Sequence, residues 1–565
     1  MPTINVNKRD LENLVNVSLS DKTIEDKFPM MGVEVEEIFE EIKEDKKEKI
    51  IQFSINPDRP DYLSVEGLAR GFRGFMGIDK GMPKYDVYES DVEVFVEDVR
   101  LRPYCAFAIV KNVIVDDLVL ESIINLQEKL HWTIGRDRKK IAIGIHDFDK
   151  VAPPFYYKEI KGDELKFEPL GYDVEMTPEE ILQKHEKGIK YAHLIADGRY
   201  PIILDKDGNV LSMPPIINGN LTKVTTETRN LLIDITGTDK NAVENTLNIL
   251  VSAFADRGGT IYSVKLVNSN NKNKKDTIIY PDLTPKVEEL SPEFINKRLG
   301  LNLNPGEIIT SLRKARMDAE YNYEKNNIIV QIPAYRVDIL HKVDFTEEVA
   351  IHYGYDKFTG KFPNVATIGE KHPLEKKFDF IRDVMVGFGF FEVMNLTLSN
   401  QDVLFKKMKI DVDDKEYVEV LKPASIEHRV VRPSILPLLL ETLYINKHNE
   451  LPQKIFEVGD CVVIDETDES SYTKCKNVGK VAFAIIHPNA NFNELKSYAE
   501  GLLREMDINY KLENYDHPSF IGGRCARIIN ADTEKAIGYF GELHPEVILN
   551  FDLEHPVVGF EMEIE

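Results

Sequence analysis

The segment PAYRVDILHKVDFTEEVAIHYGYDKF, residues 333 to 358, places Asp338, Asp344, Glu347 and Glu348 within eleven residues around one strand-to-helix turn. Two chemistries fit that spacing. Hard oxygen donors grouped by a rigid turn suit Mg²⁺ rather than a soft metal. No cysteine lies near, and His341 and His352 lack a partner at metal-ligand spacing. Alternatively, Asp344 is a helix N-cap with Glu347 three residues on, a capping-box arrangement. Both acids then also meet the positive end of the helix dipole, a gain of about 0.3–1 kcal/mol each. Asp338 becomes a turn residue, and Arg336 or a lysine balances the charge. The pattern Asp-x5-Asp-x2-Glu-Glu does not separate these readings.

A second group lies in VLSMPPIINGNL and NLLIDITGTD, residues 210–221 and 230–239. In a strand over NLLIDIT, Leu231, Ile233 and Ile235 face one way, and Leu232, Asp234 and Thr236 the other. The first set can pack under a helix over 240–256. The second sets a carboxylate and a hydroxyl beside Pro214-Pro215, where they could hold a hydroxyl and orient a hydrolytic water. The plainer reading is simple alternation, with Asp234 and Thr236 facing solvent. His146-Asp147 looks like a catalytic pair, but neighbours on a strand point to opposite faces. No serine or cysteine nucleophile stands at a recognisable position, so the pair reads as structural.

The elements that must position these groups belong to a chain of 565 residues, enough for about three to five domains. Apolar residues are 42% and charged residues 30%, an ordinary soluble composition. No run of 18 apolar residues suggests a membrane span, and MPTINVNKRDLENL lacks a signal-peptide pattern. The four cysteines form neither a CxxC pair nor a disulfide framework, which points to a reduced, cytoplasmic protein. Net charge is 71 − 96 = −25, which argues against a general nucleic-acid binder. Basic runs are local: Arg136, Arg138, Lys139 and Lys140, and Lys272, Lys274 and Lys275. Trp132 beside the first run could stack on RNA; core packing is the expectation for it.

Four segments follow from punctuation and periodicity: 1–85, 90–267, 277–360 and 368–565. After the turn SINPDRPD, Val65, Ala69, Phe72 and Met76 define one helix face. Strands VEVFVEDV and CAFAIVKNVIV open the second segment. A helix closes it, capped by Asp239, with Val243, Leu247, Leu250, Val251 and Phe254 on one face and Gly258-Gly259 as its stop. NSNNKNKKD, 268–276, reads as a hairpin tip or mobile linker. The third segment reads helix, helix, hairpin, helix, with the hairpin turning at Asn326-Asn327. The fourth opens with a helix carrying Phe378, Ile381, Met385 and Phe388 as a core stripe.

The run PAYRVDI…VDFTEEVAIHYGYD resembles the B5 module of the phenylalanyl-tRNA synthetase beta-subunit family, archaeal and eukaryotic type. SINPDRPDYLSVEGLARGFRG, LHWTIGRDRKKIAIGIHDFD and RPSILPLLLETLYINKHNELPQKIFEVGD extend the resemblance through all four segments. It implies an α+β multidomain fold: a B1-like start, a B3/B4 editing-type module, a small winged-helix-like B5 module, and a C-terminal class II synthetase-like antiparallel sheet flanked by helices. It further implies that Asp338, Asp344, Glu347 and Glu348 bind Mg²⁺ near an alpha subunit. The resemblance is to the family's shorter form, which is expected to end at the class II-like domain without the bacterial form's further modules.

Class II synthesis needs arginines on motif 2 and at the end of a glycine-rich motif, as clamps on a triphosphate. Arg429 and Arg432 occupy the motif-2 region, but the chain ends VVGFEMEIE, where Glu561, Glu563 and Glu565 would repel a triphosphate. The resemblance therefore implies a catalytically inactive scaffold in an alpha2beta2 heterotetramer. Its motif-1-like helix and strand (374–398) would pack on the alpha subunit, which binds ATP and phenylalanine and charges tRNA(Phe). It also implies a site in residues 90–267 that hydrolyses tyrosyl-tRNA(Phe), with Leu204, Ser212, Asn218, Asp234 and Thr236 as candidate residues. The rival reading is a free-standing tRNA-binding or regulatory protein that reuses these modules.

Overall fold

Alternating apolar residues and well-capped helices account for most elements of the structure, a computed structural model describing residues 2–43, 46–195, 198–268, 277–411, 417–467 and 472–564. The chain divides into two compact units, Met1–Lys361 and Phe362–Glu565. The first three segments expected from sequence thus share one unit.

In the first unit an N-terminal sheet of three strands packs with the helix Val65–Phe75. Ser64 caps that helix by accepting from the Gly67 amide at 3.1 Å. Val65, Ala69 and Phe72 are buried, whereas Met76 lies past the helix end and is exposed, so the expected face stops one turn early.

The centre of the unit is a five-stranded sheet that holds β1 (Tyr104–Lys111), β2 (Ile141–Asp147) and β4 (Leu231–Gly237). Its order runs from the short strands Val87–Tyr88 and Thr260–Tyr262 to β1, then β4, with β2 at the edge. β3 (Val210–Met213) belongs to a neighbouring seven-stranded sheet. Helix α1 (Asp117–Trp132) is capped by Asp116, and α2 (Lys240–Asp256) by Asp239, whose Oδ1 accepts from the Ala242 amide at 3.1 Å. All seven residues of β4 are buried, so both of its faces are covered. That excludes a solvent-facing Asp234 or Thr236.

The helices Pro292–Leu299, Pro305–Lys314 and α3 (Lys342–Tyr353) pack on a three-stranded sheet. Its hairpin is the one expected at Asn326-Asn327; the third strand, Lys286–Leu290, was not foreseen. Most of the stretch read as a tip or linker, 269–276, lies outside the described residues.

Buried ion pairs explain why the early segments do not stand apart. Arg257, just past α2, donates to both oxygens of Asp10 at 2.7 Å and to Glu66 at 2.6 Å. Arg70 meets Asp256 at 2.6 Å. These arginines cross from the N-terminal segment to the end of α2.

The second unit is a seven-stranded sheet in the order Phe391–Glu392, Gln453–Ile464, Cys475–Ile486, Val557–Glu563, Ala536–Leu543, Phe520–Asn530, Tyr510–Asn514. All neighbours are antiparallel except the first pair. Phe378, Ile381 and Met385 of the helix Pro373–Gly387 are buried, and Phe388 packs partly buried beside them. Among the described residues no helix is long and apolar enough to cross a membrane.

Arg257→Met removes the shared partner of two buried carboxylates. Breaking one side of such a pair costs about 3–5 kcal/mol. Denaturant unfolding of the variant is expected to show a loss of that size; a change below about 1 kcal/mol would mean that other groups hold this joint.

Candidate active site

A cavity of about 300 Å³ opens in the first unit between α1, β2, β3 and the loop after it. Leu120, Ile123, Ile124, Gln127, Glu128 and His131 form its α1 wall, the i, i+3, i+4, i+7 stripe of one helix face. β2 contributes Ala142 to Ile145, and the loop contributes Pro214 to Gly219 with Thr222. The walls are largely apolar, and a few polar groups converge on them, the usual character of a small-molecule site.

Asp234 lies in this lining on β4, only 2% exposed. A carboxylate buried so deeply must have a partner, and it has one that adjacency in sequence does not suggest. His146 Nε2 is 2.7 Å from Asp234 Oδ2, and its Nδ1 is 2.7 Å from Thr222 Oγ1. The antiparallel register pairs Asp234 with Gly144 and Leu232 with His146, which sets Asp234 and His146 diagonally on one face. A Cβ on Gly144 would stand 1.9 Å from Asp234 Oδ2 and 2.6 Å from His146 Nε2, so the glycine makes the room for the pair. Asp147 points away, accepting from Thr228 Oγ1 at 2.9 Å. The opposed faces of His146 and Asp147 are therefore as expected, and His146, fully buried outside the lining, supports Asp234.

Of the five residues named from sequence, the cavity brings together Asp234, Ser212 and Asn218. Ser212 Oγ is buried with no hydrogen-bond partner among the described residues. Thr236 and Leu204 lie outside the lining. Thr236 is turned onto Arg102, which donates to its hydroxyl at 3.3 Å and to its carbonyl at 2.8 Å. Leu204 packs with Tyr200, Ile202 and Val210 in a separate apolar cluster. The next strand residue on a face is two pleats along, far enough for Thr236 to have other neighbours than Asp234.

Arg138 also lines the cavity, at the end of a turn in which Arg136, Asp137 and Arg138 all have positive φ. It is buried, while Arg136 and Lys139 of the same basic run are exposed. Trp132 is 57% exposed, which corrects the expectation of core packing.

At the acidic turn the helix begins one turn earlier than expected. His341, not Asp344, is the N-cap of α3, and Asp344 Oδ2 accepts from the Leu340 and His341 amides at 2.8 and 2.7 Å. Arg336 holds both oxygens of Asp338, at 2.9 and 2.7 Å, and reaches Glu348 at 2.5 Å. Arg59 adds a contact to Glu348 at 3.6 Å. Burial pushes the Asp338 carboxyl up, but the charge and hydrogen bonds of Arg336, with Arg59, outweigh it and hold the pKa down at about 2. Glu347 is pushed up, by partial burial first and then by the surrounding Glu348, Asp58, Asp344 and Asp338. Among the described residues no three His, Cys, Asp or Glu groups converge to hold a metal ion. As arranged, the four acids do not fit Mg²⁺: two are arginine counterions and one caps a helix.

In the second unit Glu561 is buried and accepts from Lys480, Ser434 and the Ile435 and Leu436 amides at 2.7–3.0 Å. Its charge is satisfied internally, so the expected repelling cluster of Glu561, Glu563 and Glu565 does not include it; Glu565 lies outside the described residues. Arg432 is 3% exposed and paired with Glu457 at 2.5 Å, whereas Arg429 is half-exposed and meets Glu419 at 3.0 Å.

Models of known families match this chain along its length: the Phe-tRNA synthetase beta subunit B1 domain over 1–78, the B3/4 domain over 113–253, the tRNA synthetase B5 domain over 288–355, and the phenylalanyl tRNA synthetase beta chain CLM domain over 359–564. The chain is 71% identical to the phenylalanine–tRNA ligase beta subunit of Methanococcus aeolicus and 66% identical to that of Methanocaldococcus jannaschii, covering all of both chains. Among solved structures it is similar to an N-terminal fragment of the phenylalanyl-tRNA synthetase beta-subunit from Pyrococcus horikoshii, at 44% identity and TM-score 0.59. That match covers 62% of this chain and 99% of the fragment.

The depressed pKa of Asp338 sets a sign. A carboxyl lowered from 3.8 to about 2 adds stability above pH 4 that disappears as pH falls through 2. Asp338→Asn is therefore expected to be less stable than the wild type by about 2 kcal/mol at neutral pH, with the gap closing toward pH 2. A pH-independent gap in urea unfolding would show that the Asp338–Arg336 pair is not its source.

Proposed function

The chain belongs to the phenylalanine–tRNA ligase beta-subunit family, and on that premise we propose that its cavity hydrolyses tyrosyl-tRNA(Phe) made in error. The charging of tRNA(Phe) with phenylalanine, using ATP, is then the work of an alpha subunit in an alpha2beta2 assembly. The observation that carries this reading is Asp234, buried in the lining of an apolar-walled cavity and held by His146 outside that lining. Tyrosine differs from phenylalanine by one hydroxyl, and an apolar pocket rejects such an isostere by only about 10²-fold. A buried carboxylate reads that difference directly. It accepts a hydrogen bond from the phenol, whereas a phenylalanyl ring would leave it facing an apolar edge. Ser212 and Asn218 supply further polar contacts, and His146 holds Asp234 in place.

The proposal includes the module boundaries 1–85, 90–267, 277–360 and 368–565, with the third winged-helix-like. It includes a second unit without synthetic chemistry, because Arg432 is spent on Glu457 and its guanidinium is closed to a triphosphate. Phe391, Met394, Leu396 and Ile445 of that unit are each more than 60% exposed. A row of large apolar residues of this kind supports a covering partner, the alpha subunit, and weighs against a free-standing regulator. All four cysteines are free thiols, in keeping with work in the cytoplasm. The proposed hydrolysis routes no step through magnesium at the 338–348 acids, whose donors do not converge among the described residues.

The test is deacylation of tyrosyl-tRNA(Phe) by the assembled complex. Asp234→Ala is expected to lose about 10²–10⁴-fold in rate, and Gly144→Ala to fall with it by displacing the pair, while phenylalanine charging persists. Equal rates for wild type and Asp234→Ala would sink the proposal.

A further inference from the structure

β2 is an edge strand, and the side chains of α1 satisfy its outward backbone. The Ile143 amide donates to His131 Nε2 at 2.8 Å, and the Ile143 carbonyl accepts from Gln127 Nε2 at 2.7 Å. These residues sit one helical turn apart, so they meet both groups of a single strand residue. The contact fixes the ring: a nitrogen that accepts from an amide carries no hydrogen, so the hydrogen of neutral His131 is on Nδ1. Burial, together with Arg138, Lys187 and Arg102 nearby, pushes the imidazole pKa well below 6.5 and keeps it neutral.

His131 lines the cavity and is only 3% exposed, and its Nδ1–H is buried with no hydrogen-bond partner among the described residues. A buried orphan donor is a standing cost unless something else meets it. Arg138 has a second one. Its Nη1 donates to the Pro215 and Ile216 carbonyls at 3.1 and 2.8 Å and its Nη2 to Glu128 at 3.1 Å, which leaves Nε buried and without a partner among the described residues. Both residues lie at one end of the cavity, since His131 Nδ1 is 4.0 Å from the same Glu128 oxygen that Arg138 holds.

We propose that His131 Nδ1–H, with Arg138 Nε–H, is the donor pair that receives the carbonyl oxygen of the aminoacyl ester during its hydrolysis. This rests on the hydrolytic reading of the cavity given above. The Arg138 guanidinium repels the substrate's ammonium, neither N–H can accept from it, and hydroxyls would bring donors of their own. The carbonyl oxygen is acceptor-only, and it gains charge as the reaction proceeds. Water adds to the carbonyl carbon, the oxygen becomes an oxyanion between the two donors, and the bond to the ribose oxygen then breaks. The ribose oxygen takes a proton from the attacking water, leaving free tyrosine and a tRNA with its terminal hydroxyl restored.

Two substitutions separate this role from the support of β2. His131→Gln keeps an acceptor at the Nε2 position for the Ile143 amide and removes the Nδ1 donor, whereas His131→Asn keeps a donor near Nδ1 and loses the acceptor. In the assembled enzyme, His131→Gln is expected to lower kcat for tyrosyl-tRNA(Phe) deacylation about 10²-fold with KM within about twofold, with phenylalanine charging and Tm unchanged. His131→Asn should keep more of kcat and show the lower Tm. Deacylation by His131→Gln within about threefold of wild type would overturn the assignment; a wild type that does not deacylate would instead overturn the proposed function. Should His131→Gln fail to assemble, a crystal structure of the wild-type complex with 3′-deoxy-3′-(L-tyrosylamino)adenosine decides. Its amide oxygen within about 3.2 Å of His131 Nδ1 supports the assignment; an oxygen bonded elsewhere, or no bound analogue, refutes it.

Discussion

A carboxylate placed inside a sheet that is covered on both faces cannot stand alone, and that requirement organises the cavity. Asp234 is buried on β4 and answered by His146 across the ladder. The answer needs space, which Gly144 supplies by having no side chain between them. It also needs His146 itself held, which Thr222 does from the loop that forms another wall. Without that chain of contacts the buried carboxyl oxygens would have no hydrogen-bond partner, at a cost of about 1–3 kcal/mol.

The same physics explains the acids elsewhere. Arg257 takes Asp10 and Glu66, Arg336 takes Asp338 and Glu348, and Arg432 takes Glu457. Each guanidinium is planar and presents a fork of donors, so one side chain can neutralise two buried oxygens or carboxylates at once. Acids that look like metal ligands or phosphate repellents in sequence thereby become internal counterions. Glu561 extends the pattern, with Lys480 and the start of the helix Leu436–Ile445 in place of an arginine.

How far this was legible in the sequence depended on range. Caps, helix faces and hairpins are local, and Asp239, the 240–256 helix and the turn at Asn326-Asn327 are where the residues placed them. Asp234, Ser212 and Asn218, named through strand alternation and the resemblance, lie together in the cavity lining. What failed was long-range. The partner of His146 is 88 residues away and follows only from the register of β2 with β4. Thr236 was assigned by alternation, which gives a face but not a neighbour, and its neighbour is Arg102. The N-cap moved from Asp344 to His341 because histidine is an uncommon cap and Asp344 serves equally well from the third helical position.

On the proposed reading, the cavity and the alpha subunit's synthetic pocket divide a problem that one site cannot solve. A synthetic pocket must welcome phenylalanine, so it must be apolar around the ring, and such a pocket excludes tyrosine by only about 10²-fold. Adding a polar group there to sense the hydroxyl would leave that group unpaired with the correct substrate, at a cost to charging. A separate hydrolytic site carries no such conflict. It can keep Asp234 buried and held by His146 because only the wrong amino acid needs to be bound well. A site built around a hydrogen-bonding group discriminates by about 10⁴–10⁵, so the selectivity missing from the first step is available at the second. The buried carboxylate is tolerable in one place for the same reason that it is excluded from the other.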